Sequence, residues 1–471
     1  MLFGLDPVLA TLLIICIICV CAFEFVNGFH DTANAVATVI YTKSLKPHIA
    51  VYLSGFLNFA GVASGLWLGF AVAMKIVNLL PIESLINQNV YQSIAMVLAM
   101  LLSSIIWNLG TWYFGIPCSS SHTLIGSIIG VGMAFTFMPE ANGSAVNWGE
   151  ASKIGMSLLI SPLFGFAMVI FLMYLMKRFI TNQDIFKEPK KTKAPPMWIR
   201  IILILTCSGV SFAHGSNDGQ KGIGLMMLIL IAIVPSYFAL NPDKEIVHVK
   251  KDIEVISSIS NKIDTVRLGS SERKKLNEVK NSIASLNSII DNYKISDSLS
   301  IKDKLNSRKH ILVIGSGLDK IVKSGDASIS LKEIEELNST VKKSKKYIEY
   351  APGWVTVLIS LSLGIGTMIG WKRIVVTIGE KIGKEHLTYA QGASSELVAA
   401  TTIALSSGLG LPVSTTHVLS SGIAGSMVAN KGMKNLRPET VKSIVLAWVL
   451  TLPVTVILSA ILFVVLRMIL A

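Results

Sequence analysis

Two carboxylates, Asp31 and Asp218, stand in otherwise apolar stretches, and each lies in a motif that occurs twice. Asn27-Gly28-Phe29-His30-Asp31-Thr32-Ala33-Asn34-Ala35 aligns with His214-Gly215-Ser216-Asn217-Asp218-Gly219-Gln220-Lys221-Gly222. A charged carboxylate at the centre of an apolar helix costs about 2.5–3.5 kcal/mol, so it is expected to face a polar cavity and to hold a cation or a proton there. Asn34 and Lys221 follow their aspartates by one helical turn and share the same face. With His30 and Asn217, which precede the acids, they make a candidate ion-coupling set. Gly28, Gly215, Gly219 and Gly222 are expected to loosen these helices, so that unwound backbone offers carbonyls and amides to a small ion.

A second duplicated motif suits the opposite charge. Gly115-Ile116-Pro117-Cys118-Ser119-Ser120-Ser121-His122 aligns with Gly410-Leu411-Pro412-Val413-Ser414-Thr415-Thr416-His417. Proline followed by hydroxyl residues marks a helix start, where unpaired N–H groups and the positive dipole end attract anions. Ser119, Ser120, Ser121, Ser414, Thr415 and Thr416 are therefore candidate ligands for a small anion with several oxygens. His122 and His417 can relay protons or simply bond a neighbouring helix. Ser121–His122 is no hydrolase dyad, since helix neighbours diverge by about 100° and no acid accompanies them. Glu24 reads as a proton carrier or a snorkelling end-group, and Glu396 as an interfacial residue.

The elements that position these groups follow from composition. Of the 471 residues, 52% are hydrophobic and only 15% charged. With a mean hydropathy of +0.61, this excludes disorder, a coiled coil and an ordinary cytosolic enzyme. The charges concentrate in residues 241–350, where 37 of 110 are charged. The net charge is +13, and the +8 outside that segment lies in short loops, the mark of cytoplasmic membrane sides rather than of nucleic-acid binding. All five cysteines lie in or against apolar stretches, so neither a disulfide framework nor a zinc site is expected.

The motif offsets are 187 and 295 residues, and they differ by nearly the length of the polar segment. The chain thus divides into a first membrane repeat (1–180), a cytoplasmic linker (181–197), a second repeat (198–240 and 351–471) and a polar helical insertion (241–350). Basic loops fall on one side only if each half crosses an odd number of times, which inverts the repeats and places both termini and the insertion outside. The expected fold is an all-α polytopic membrane protein of two inverted repeats, with about ten crossings, broken helices, re-entrant hairpins and one soluble helical insertion.

On these duplicated motifs, together with 106–113 (IWNLGTWY) and 364–371 (GIGTMIGW), the chain resembles the inorganic phosphate transporter (PiT) family, and within it the bacterial low-affinity, proton-coupled branch. The resemblance spans nearly all of the membrane portion. It implies a secondary carrier in the bacterial cytoplasmic (inner) membrane that imports phosphate with protons, as a neutral divalent metal–phosphate complex, with no tightly bound cofactor. It assigns Asp31, Asn34, Asp218 and the six hydroxyl residues as phosphate and ion ligands. The chain departs from the family pattern at His30 and Lys221, where asparagine is usual. An ammonium beside Asp218 stands where a sodium ion would bind, which favours proton over sodium coupling. Rival readings are a carrier of sulfate or another tetrahedral oxyanion, a sodium-coupled phosphate symporter, a channel, and a membrane enzyme acting on phosphoesters. The enzyme lacks a nucleophile with its base. Metal identity and oligomeric state, including a homo-oligomer, are left open by the sequence.

Overall fold

The computed structural model describes residues 2–80, 89–139, 141, 146–189, 194–265, 268–296, 299–324, 329–370, 372–377 and 381–470. Among these the regular structure is helical, with one isolated bridge between Gly383 and Leu436. The long helices are α1 (Pro7–Tyr41), α2 (Pro47–Ala63), α3 (Val90–Tyr113), α4 (Ser120–Thr136), α5 (Trp148–Phe179) and α6 (Met197–Ile233). After the insertion come α11 (Gly353–Thr367), α12 (Tyr389–Gly408), α13 (Thr415–Lys431) and α14 (Pro438–Leu470). Among the described residues, six helices are long and apolar enough to cross a bilayer: α1, α2 with the turn that follows it, α3, α5, α6 and α14. Helices α5 and α14 expose large apolar side chains such as Leu163, Phe171, Ile457 and Ile461, as lipid-facing helices do.

The chain forms two compact units, Met1–Ile229 with Ala351–Ala471, and Leu230–Tyr350. In the first, helices of one half pack on helices of the other through glycines. A Cβ on Gly28 of α1 would strike the Leu363 carbonyl of α11, and one on Gly215 of α6 would strike the Asn58 carbonyl of α2. Likewise Gly130 of α4 lies against the Val456 carbonyl of α14, and Gly425 of α13 against the Phe166 carbonyl of α5. Gly28 and Gly215, and likewise Gly130 and Gly425, stand at the offsets of the sequence motifs, 187 and 295 residues. The missing side chains let the backbones approach, as small residues do at membrane helix interfaces.

One expectation fails here. Helices α1 and α6 run unbroken through Asp31 and Asp218, 35 and 37 residues long. Gly28, Gly215, Gly219 and Gly222 do not unwind them; none has a positive φ. These glycines serve close packing instead, and intact intrahelical hydrogen bonds are the cheaper solution in an apolar surround.

The second unit holds α7 (Val249–Asn261), α8 (Ser270–Ser296), α9 (Ile301–Ser324) and α10 (Leu331–Lys345). Ile283, Leu286, Ile311, Ile314, Leu318 and Ile321 all join its core, in keeping with their helical spacing. Its entry and exit segments are tied together. Arg308 Nη1 donates to the Ile348 carbonyl at 2.6 Å and the Ala239 carbonyl at 3.3 Å, and Tyr350 Oη donates to the Leu240 carbonyl at 3.0 Å. These bonds carry the segment before Asn241 into the unit, which begins at Leu230.

Candidate functional site

Four helices converge on the two aspartates. Helix α1 supplies Glu24, His30 and Asp31, and α6 supplies His214, Asn217, Asp218 and Lys221. The starts of α4 and α13 supply the hydroxyls. Each start follows a tight turn at Gly115 (φ +67°) or Gly410 (φ +66°), a backbone conformation that side chains with a Cβ resist. Ser119 and Ser414 are the N-caps, their Oγ atoms accepting from the His122 and His417 amides at 3.2 and 3.1 Å. They remain able to donate their own protons.

Every polar group of the cluster is buried: Asp31 is 2% exposed, Asp218 0% and Lys221 1%. Ser120 Oγ reaches both acids, 3.1 Å from Asp31 Oδ2 and 3.3 Å from Asp218 Oδ2. Thr416 Oγ1 donates to Asp31 Oδ1 at 2.7 Å, and His30 Nδ1 lies 3.1 Å from the same oxygen. Lys221 Nζ sits 2.7 Å from Asp218 Oδ1 and donates to Ser121 Oγ, which in turn donates to the Val413 carbonyl at 2.9 Å. Thus Thr416 of the second half holds the first aspartate, and Ser121 of the first half holds the lysine of the second. Thr415 is buried on the same turn as Thr416. The Asn34 side chain lies outside the described residues.

Two members of the ion-coupling set are engaged elsewhere as well. Asn217 Nδ2 donates to Ser407 Oγ at 3.0 Å and to the Leu411 carbonyl at 3.2 Å, strapping the tip between α12 and α13. His30 Nε2 meets Thr111 Oγ1 of α3 at 3.2 Å. His122 and His417 stack with ring centroids 4.5 Å apart, and His417 stacks on Trp448 at 4.0 Å.

Glu24 cannot snorkel, because it is 0% exposed; Asn27 Nδ2 donates to its Oε2 at 3.4 Å, and Gly222 leaves room for its carboxyl. Glu396 is not interfacial. It is fully buried and accepts hydrogen bonds from Thr38 of α1 and Thr206 of α6. It lies inside α12, which begins at Tyr389, rather than at the end of a span.

His214 was passed over although it stands in the motif. Its Nδ1 lies 2.6 Å from Asn58 Oδ1, and its Nε2 points at Asp31 Oδ2 and Asp218 Oδ2 from 3.6 and 3.7 Å. The available signal was Asn58 itself, an amide in an apolar span that needs a buried polar partner.

Two helix starts aimed at two carboxylates and an ammonium bring donors for an anion and ligands for a cation together, and Ser119 Oγ also lies 2.9 Å from His122 Nδ1. The model of the phosphate transporter family matches residues 27–459. A low-affinity inorganic phosphate transporter of Buchnera aphidicola subsp. Acyrthosiphon pisum (strain APS) is 44% identical over 94% of both chains. The low-affinity inorganic phosphate transporter PitA of Escherichia coli (strain K12) is 40% identical over 97% of both. A solved structure titled the sodium-dependent phosphate transporter shares the fold, with a TM-score of 0.55 at 21% identity over 98% of this chain and 100% of that one. These relatives are named as transporters, not enzymes. A buried two-acid, two-helix-end site in a multi-pass helical membrane protein, matched along almost its whole length by phosphate carriers, leaves one assignment: the chain belongs to the phosphate transporter family.

Proposed function

We propose that this protein imports inorganic phosphate by symport with protons, carrying it as a neutral complex with a divalent metal ion. The two halves then alternate access to the site between the membrane faces, as inverted repeats. The observation that carries this reading is the ion pair of Lys221 with Asp218 at 2.7 Å, fully buried, where the first half has Asn34. A fixed ammonium holds Asp218 Oδ1, the position beside the carboxylate where a sodium ion would be expected. Phosphate brought as a dianion into a cavity that retains Asp31 needs positive charge with it, and a divalent cation supplies that charge at once. The amides and hydroxyls at the starts of α4 and α13 are the phosphate ligands; Ser120 and Thr416 bond the acids, Ser121 bonds Lys221, and Thr415 lies on the same turn as Thr416. Ser119 and Ser414 complete the same turns, and His122, His417 and Glu24, all buried, are the candidate proton relays. In this reading the protein lies in the bacterial cytoplasmic membrane with termini and insertion outside, an orientation that the basic loops support.

The test is uptake of labelled phosphate into proteoliposomes, with an imposed pH gradient or sodium gradient and with Mg²⁺, Zn²⁺ or a chelator. The proposal expects uptake that follows the pH gradient, ignores sodium and falls with the chelator. Uptake that needs sodium and survives a proton uncoupler would refute it, and competition by equimolar sulfate would move the substrate to tetrahedral oxyanions at large.

A further inference from the structure

The two aspartates are held asymmetrically. In each, Oδ1 is taken: Asp218 Oδ1 by Lys221 at 2.7 Å, and Asp31 Oδ1 by Thr416 at 2.7 Å and His30 at 3.1 Å. Both Oδ2 atoms turn to a shared space that faces His214 Nε2, at 3.6 and 3.7 Å. That nitrogen is buried and makes no hydrogen bond.

Its chemical state can be worked outward from Asn58. The Asn58 amide nitrogen donates to the Ser54 carbonyl at 3.1 Å, an acceptor only, so Asn58 Oδ1 must face His214. Oδ1 is itself only an acceptor, so the contact at 2.6 Å requires the ring proton on Nδ1. In the neutral ring, Nε2 therefore carries a lone pair, and it is aimed at two carboxylate oxygens. Three electron-rich atoms facing one another repel unless a proton on Nε2 or a metal cation lies between them. Resting on the metal–phosphate reading above, we propose that His214 Nε2, Asp31 and Asp218 seat the divalent cation of the cargo. The imidazole makes this seat favour borderline-soft ions such as Zn²⁺ and Co²⁺ over Mg²⁺ and Ca²⁺.

The dimensions suit this. The three ligand atoms lie within 4.8 Å of one another. Ligands at the usual ~2.0–2.2 Å from a tetrahedral ion stand roughly 3.3–3.6 Å apart, close to the 3.6 and 3.7 Å separations of the imidazole from the two acids. A ligating histidine ordinarily gives its second N–H to a fixed acceptor, which is the part Asn58 plays. Three protein ligands leave a position open. Ser120, which now bonds both Oδ2 atoms, stands on the first turn of α4 where a phosphate oxygen would complete the shell. An imidazole shifts a carboxylate site away from the hard, all-oxygen preference of Mg²⁺ and Ca²⁺.

The experiment titrates purified full-length protein, stripped by chelation, with Co²⁺ in the presence of inorganic phosphate, alongside Mg²⁺. Wild type should bind one Co²⁺ with a nitrogen ligand visible in cobalt-edge X-ray absorption. His214→Gln should weaken Co²⁺ at least tenfold, change Mg²⁺ by less than threefold and lose the nitrogen signal, whereas Asn58→Asp, which still accepts from Nδ1, should keep it. His214→Gln that binds Co²⁺ as wild type does overturns the assignment. Should that variant fail to insert, an all-oxygen shell around Co²⁺ in wild type overturns it equally. Wild type that binds no Co²⁺ and takes up phosphate at full rate in chelator overturns the metal–phosphate reading itself, a result distinct from metal binding that ignores His214.

Discussion

Replacing Lys221 with methionine tests whether the ion pair at the site is charged and structural. The side chains of Lys221 and Asp218 are 1% and 0% exposed, and their charged atoms stand 2.7 Å apart. Methionine keeps the unbranched stem and removes the ammonium. Asp218 is then left with Ser120 Oγ at 3.3 Å, and Ser121 keeps the Val413 carbonyl at 2.9 Å. One hydroxyl at that distance cannot replace an ammonium. Removing one partner of a buried pair costs about 3–5 kcal/mol, most of it from the stranded charge. Asp218→Asn in the same chain removes that charge, so the double variant should recover most of the loss. The assay is the thermal unfolding midpoint of purified protein without phosphate, read beside uptake. Lys221→Met should melt several degrees below wild type and the double variant close to it, with uptake lost in both. A Lys221→Met protein that melts with wild type would refute the argument, because no charge would then have been stranded.

Asp31→Asn should insert and fold but fail to accumulate labelled phosphate, since of Thr416 and Ser120 one can still donate to the amide oxygen and the other accept from the amide nitrogen while the charge of the cation seat is gone; normal uptake would remove Asp31 from the site. Ser120→Ala should weaken phosphate binding by about 1–3 kcal/mol through loss of a hydrogen bond to a charged group, and equilibrium binding on purified protein measures it. Replacing residues 235–351 by a short Gly/Ser linker should leave uptake per inserted molecule within about twofold, because the cost of closing a loop grows only slowly with its length. Within the insertion, Glu333 closes a capping box on Ser330 and accepts from Lys262 at 2.7 Å, and these bonds pull its carboxyl down to about 2 from the ordinary 4.5. Its contribution is full above the ordinary value and is lost as pH falls through about 2. Amide protection in the first turn of α10, taken relative to the intrinsic exchange rate at each pH, should therefore fall from pH 5 to pH 2.5, and Glu333→Gln should flatten that change.

Much of the site is legible in the chain because apolar sequence makes polar residues conspicuous. Asp31, Asp218, Lys221 and the hydroxyls of 119–121 and 414–416 stand out where lipid-compatible residues are expected, and their duplication gives the pairing. Helix starts at Ser120 and Thr415 follow from proline and N-cap chemistry, which acts over four residues. The polar insertion is separable by composition alone, and its core follows from helical periodicity.

What tertiary structure decided are the matters of direction and partner. Glycine in an apolar helix can mark a break or a close approach, and only the carbonyls of Leu363 and Asn58 against Gly28 and Gly215 select the second. Glu396 reads as an end-group until Thr38 and Thr206, distant in sequence, are found bonded to it. His214 is one polar residue in a motif until Asn58 of another helix sets its ring proton and turns its free nitrogen toward both aspartates. A sequence states which groups are costly to bury; which group offsets that cost depends on contacts between helices far apart in the chain, and those exist only once the helices have packed.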